Sequence, residues 1–287
     1  MNKRNKKYAG VKYREHTEVE KEYIFFLDKF SKACKVACNI SLNQAGINTD
    51  GRGIRGADIF TRQVLTVHSL KKLLPQLKNG VDPDDTVWDV TTIALVTRSI
   101  IENFQALYYF GTEEVSEHEA DLRFYIFQKD RNFKWKEIRK KSGQTNDELS
   151  EFIHGIPEQI ERIRNHVFFK KPSEQQQRNI IKRNAEMYYS HADFEARCPR
   201  LTNLSLYYQL LSNLAHPLPL AIDRIDELKG HGSANDADIS LVNISLDIAS
   251  ECLIASIEEM AIKFPERIGS HFKHLILKLT SSTASVP

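Results

Sequence analysis

The chain is short of the features that usually announce a chemistry. Its 287 residues include only 12 glycines and 9 prolines, which argues against a loop-rich all-β fold. It has four cysteines: Cys34, Cys38, Cys198 and Cys252. Cys34 and Cys38 lie one helical turn apart, but no second closely spaced Cys or His pair completes a zinc site. They are read as buried reduced thiols, and neither a metal nor a cofactor is expected. The pairs His118/Asp121 and His191/Asp193 lack a convergent third ligand and are read as solvated. Charge is balanced: 40 Lys and Arg against 38 Asp and Glu leave a formal net charge of +2, so there is no overall basic field. No apolar run reaches about 18 residues, so no membrane span is expected. The basic stretch Met1 to Lys7 is followed by no long apolar segment. Residues 1–14 are therefore read as a solvated tail rather than a secretory signal, and a cytoplasmic location is expected.

What the chain does have is helical periodicity in nearly every long segment. Residues 15 to 44 read as one helix with a stripe of Tyr23, Phe26, Leu27, Phe30, Ala33, Cys34 and Ala37. The glycine-rich stretch from Gly46 to Gly56 reads as a flexible connector. Asp58 is expected to cap a second helix to about Leu77, and Asp84 or Asp85 to open a third that stops at Gly111. Capping boxes at Ser116–Glu119, Thr145–Glu148 and Ser173–Gln176 open helices to about Lys141, His166 and Tyr189. A helix from Leu201 to Ala215 is broken by Pro217. A long apolar helix spans about Ala237 to Phe264, and a last one runs from Glu266 to about Leu279. Residues 281–287 read as a tail. The expectation is an all-α fold, a single bundle of about eight to nine helices over residues 15–280. Residues 130–200 form a polar peripheral helical insertion in this reading.

Two apolar helices carry polar residues that an ordinary core does not need. Arg98 and Glu102 stand at i, i+4 on the first, a spacing that suits a buried pair or an arginine that binds an anion such as phosphate. Ser212 and His216 stand at i, i+4 on the second. There the histidine either complements the helix C-terminus or, oriented by Ser212, does acid–base work. No nearby Asp completes a nucleophile triad, which excludes a serine hydrolase. Asn103, Tyr208 and Asn213 flank these residues as candidate substrate-binding groups. Arg62 and His68 show the Arg-x(4–6)-His spacing used by metal-independent RNases of the HEPN (higher eukaryote and prokaryote nucleotide-binding) type. The same spacing recurs at Arg224/His231 and Arg267/His274, about as often as composition alone produces. Lysines and arginines of residues 130–200 interleave with Phe133, Trp135, Phe168 and Phe169, a pattern compatible with an RNA-facing surface.

Arg62-Gln-Val-Leu-Thr-Val-His68, Thr97-Arg98-Ser-Ile-Ile-Glu102-Asn103 and Tyr208-Gln-Leu-Leu-Ser212-Asn-Leu-Ala-His216-Pro217 together resemble a bacterial helical family, domain of unknown function 5677. The resemblance covers approximately residues 20 to 260. It implies an all-α bundle in which Arg98, Glu102, Ser212 and His216 converge. HEPN-like toxin and phage-defence proteins are a more distant likeness of architecture. The expectation is a prokaryotic helical protein, a homodimer, that binds or cleaves RNA in a defence or toxin–antitoxin setting. If it cleaves, His216 or His68 is the acid–base group, Arg98 or Arg62 holds the phosphate and Glu102 orients the arginine. The competing expectation is a non-enzymatic module that binds a protein partner, with Arg98, Glu102, Ser212 and His216 as a buried structural network.

Overall fold

The computed structural model describes residues 15–77, 87–182, 186–216 and 235–267. The fold is all-α, with no strand among the described residues. Its helices are α1 (Glu18–Asn43), α2 (Gly51–Leu73), α3 (Val90–Leu107), α4 (Glu117–Lys141), α5 (Ser150–Arg164), α6 (Glu174–Lys182), α7 (His191–Arg197), α8 (Leu204–Ala215) and α9 (Asp236–Lys263). The expected chain tails and the helix over 266–279 fall largely or wholly outside the described residues, as do Arg224, His231 and His274.

The chain forms two compact units, one of residues 1–111 and 194–287 and the other of residues 112–193. Where the sequence suggests an insertion over 130–200 within a single domain, the second unit starts earlier, at Thr112. Long-range bonds close it there: side chains at Glu113, Glu119 and Arg123 bond to Tyr188 and Tyr189 at its far end.

In the first unit α9 is the core. It packs against α1 and α3, α2 packs against α3, and α8 lies against α3. By length and composition α9 could cross a membrane, and here it is mostly buried. Ile239, Val242, Leu246, Leu253 and Ile257 are buried along one face and Leu241 and Ile248 along the opposite one, so the helix is enclosed almost all round. Each such aliphatic side chain contributes about 1.5–3 kcal/mol through burial. Its buried serines cost little, because Ser245, Ser250 and Ser256 each donate to the carbonyl one turn back, at 2.8, 2.6 and 2.9 Å. Along the edge of this core runs a chain of ion pairs. Lys29 Nζ meets Asp247 at 2.9 Å and Glu251 at 2.7 Å, and Arg200 meets Glu251 and Glu258, each at 2.9 Å.

The glycine-rich stretch is not the connector its composition suggests. Asp50, not Asp58, caps α2, accepting from Gly53 N at 2.6 Å, so Gly51, Gly53 and Gly56 are helical. Of the glycines in this stretch only Gly46 has a positive φ, +71°. Gly53 has room for nothing larger, because a Cβ there would lie 2.3 Å from Thr49 Oγ1. Asp89 caps α3 by accepting from Thr92 N at 2.9 Å, and Asp84 and Asp85 lie outside the described residues. Gly111 does not stop α3. The helix runs on through a π-helical turn, Tyr108–Thr112, which contains it.

In the second unit Leu122, Ile126, Ile163, Phe169 and Ile180 form a small core, with Tyr125, Phe168 and Tyr188 packed against it. The capping boxes at Thr145 and Ser173 are present as reciprocal bonds. The helix after Thr145 settles only at Ser150; α6 is described over Glu174–Lys182, and Tyr188 and Tyr189 are not helical. A further box, Ser190 with Asp193, opens α7.

Candidate functional site

Arg98 and Glu102 lie on one face of α3, and Tyr208 reaches them from α8. Arg98 Nε donates to Glu102 Oε1 at 3.0 Å and to Tyr208 Oη at 3.0 Å, and Tyr208 donates to the same Glu102 oxygen at 2.8 Å. The Arg98 guanidinium lies over the Tyr208 ring, 5.1 Å from its centroid. The three side chains close a ring in which every bond carries charge on at least one partner or stacks a cation on an aromatic face.

The expected burial of this pair is not what the structure shows. The Arg98 side chain is 27% exposed and Glu102 46%. An apolar helix composition overstates burial because Leu95 is itself 46% exposed and lies on the same stripe. Partial burial lowers the Arg98 pKa, and its bonds to Tyr208 and Glu102 more than offset this, so it stands above its ordinary value. Burial, then Glu102, push the Tyr208 hydroxyl upward, which keeps it a donor.

The other candidate residues do not join this cluster as hydrogen-bond or ion-pair partners. Ser212 Oγ is buried and has no hydrogen-bond partner among the described residues, so it does not orient His216. His216 is exposed and caps α8 with extended backbone, φ −110° and ψ 147°. The i, i+4 face therefore ends before it, because that spacing holds only while the helix continues. Asn213 donates to its own helix, to Gln209 O at 2.9 Å. Asn103 points the other way along α3, toward α2, with Nδ2 3.4 Å from Thr66 Oγ1. Arg62 and His68 are both exposed on α2, and no hydrogen bond joins them. Among the described residues no group of three His, Cys, Asp or Glu could hold a metal ion.

The most connected polar centre is one that sequence reasoning passed over. Arg123 in α4 is 2% exposed and fully engaged. It pairs with Glu113 at 2.7 Å and with Glu119, and donates to Tyr188 at 3.2 Å and Tyr189 at 2.7 Å. Both tyrosine rings stack on its guanidinium, at 5.6 and 5.0 Å. Tyr188 donates on to Glu119 and Tyr189 to Glu113. This network ties residues 188–189 to α4 and holds Arg123 away from solvent.

The aromatic and basic residues of the second unit divide. Phe169 and Phe168 are spent in the core. Trp135 is 51% exposed and Ile138 54%. Arg139 lies 5.9 Å from the Trp135 ring and 5.2 Å from Phe152. Residues 129–141 hold seven Lys and Arg against two acids, although residues 112–193 as a whole are neutral, with 15 of each sign.

Compared with protein-family models, curated proteins and solved structures, the chain matches none.

Proposed function

We propose that the protein binds single-stranded RNA through the outward face of the C-terminal half of α4. The observation that carries this reading is the exposed Trp135 indole beside the stacked Arg139, in a basic stretch. Bases stack on an aromatic face whatever their identity, and neighbouring cations follow the backbone. The unit's balanced charge points to stacking rather than a long-range basic field as the source of affinity. The reading stops at binding. Cleavage needs a general base held by an orienting group, and His68 and His216 are each exposed with no bonded partner among the described residues.

The test uses the protein's own fluorescence. It has two tryptophans, Trp88 at 6% exposure and Trp135 at 51%. Titration with a uridine oligomer should quench the Trp135 emission and weaken as salt rises. Trp135→Ala, followed by a labelled oligomer, should bind about tenfold more weakly, while Trp135→Phe retains most affinity. Unchanged binding by Trp135→Ala would refute the reading. Recovery of intact oligomer after incubation in EDTA separates binding from metal-independent cleavage.

A second reading, a surface for a protein partner on the first unit, is favoured by Leu65, Leu95 and Leu206, which are 64%, 46% and 61% exposed. Sedimentation of the whole chain reports whether a second copy takes that role.

A further inference from the structure

We propose that Arg98 is a preorganised receptor for a monoanionic oxyanion, a carboxylate or a phosphodiester group, at the seam of α3 and α8. Among the described residues, Arg98, Arg123 and Arg200 each have Nε tied to a carboxylate by a hydrogen bond. In Arg123 both terminal nitrogens are consumed as well, by Glu113, Glu119 and Tyr189. In Arg200 they go to Glu251 and Glu258. In Arg98 only Nε is engaged, and Nη1 and Nη2 have no partner among the described residues.

The geometry leaves one direction of approach. The Tyr208 ring covers a face of the guanidinium, and Glu102 and the Tyr208 hydroxyl occupy its Nε corner. The end-on edge, with two parallel N–H groups, remains, and it matches two oxygens sharing one charge. Because the fork is already held at Nε and stacked, little side-chain freedom remains to be lost on binding. Glu102 sets the charge preference. Its carboxylate offsets most of the positive charge at 3.0 Å, so the remaining field does not repay the larger dehydration cost of a dianion and a monoanion is accepted more readily. The site lies in the first unit and does not depend on the RNA reading of α4.

The experiment is a titration of the whole chain with acetate and, separately, dimethyl phosphate, with chloride at matched ionic strength as the control. The readout is the Arg98 Nε–Hε resonance, assigned by its loss in Arg98→Lys. A saturable shift with millimolar affinity in either oxyanion arm, absent with chloride, supports the proposal, and the tighter arm identifies the group. Inorganic phosphate at pH 8, a dianion, should bind several-fold more weakly than dimethyl phosphate. Leu95→Glu places a competing carboxylate one turn from Arg98 at an exposed position and should weaken binding at least tenfold without loss of fold. No saturation, an equal response to chloride, or unchanged affinity in Leu95→Glu would each overturn it.

Discussion

Gly111 and Gly56 stand backbone to backbone: a methyl group on Gly111 would lie 2.7 Å from Gly56 Cα. The reverse substitution is milder, because a Cβ on Gly56 would stand 3.4 Å from Gly111 Cα. Gly111→Ala is therefore expected to destabilise the protein by roughly 1–3 kcal/mol through overpacking, and Gly56→Ala by distinctly less. Urea denaturation of the two variants checks the order, and equal midpoints would contradict it.

Removing Arg123, itself buried, strands two partly buried carboxylates, Glu113 and Glu119. Arg123→Met is expected to cost about 3–5 kcal/mol, the usual penalty for breaking a buried charge pair from one side. Tyr189→Phe removes a single hydroxyl and should cost about 1 kcal/mol. Because Trp135 lies in the same unit, its emission reports this loss directly during denaturation.

Alkaline pH should weaken the fold. Tyr23 donates to Pro75 O at 2.6 Å and Tyr188 to Glu119, and burial raises both phenols above the ordinary value of 10.0. The unfolded chain releases these protons near pH 10 and the folded chain does so later. The unfolded state thus binds fewer protons above that point, and stability falls as pH rises past it. Melting temperature should be flat from pH 8 to about 9.5 and decline beyond about pH 10, with tyrosinate absorbance rising as the protein unfolds. A melting temperature unchanged to pH 11 would exclude this origin.

The thiols should differ in reactivity. Burial pushes Cys34 up to about 12 and Cys198 up to about 11, and raises Cys252 as well. Alkylation at pH 8, read by mass spectrometry, should therefore mark the partly exposed Cys38 first and reach Cys34 and Cys252 only in denaturant.

Local signals were the legible part of this fold. Thr145 and Ser173 announce their helices because a capping box is made within four residues, and Ser116 announces α4 through its cap on Glu119 N alone. Arg98 and Glu102 share a face by spacing alone. The glycines misled, since one residue type serves both a turn and a tight helix contact, and only the partner helix distinguishes them: Gly56 needs Gly111, 55 positions away. Ser212 and His216 parted because the helix ends between them and the face they would share. The Arg123 network was out of reach for the same physical reason as the glycine contact. Its members span Glu113 to Tyr189, and no local pattern links an arginine to tyrosines 65 and 66 residues away.

The position of α9 also sets a birth order. The salt bridge from Lys29 to Asp247 closes a span of 218 residues, and the helix that completes the first core is the last described long helix to be synthesised. Residues 112–193 are continuous and can close as soon as they emerge. The helices before them must wait, their apolar faces uncovered, until α9 leaves the ribosome. Such distant closure is slow and leaves the nascent chain open to aggregation or to a chaperone for that interval.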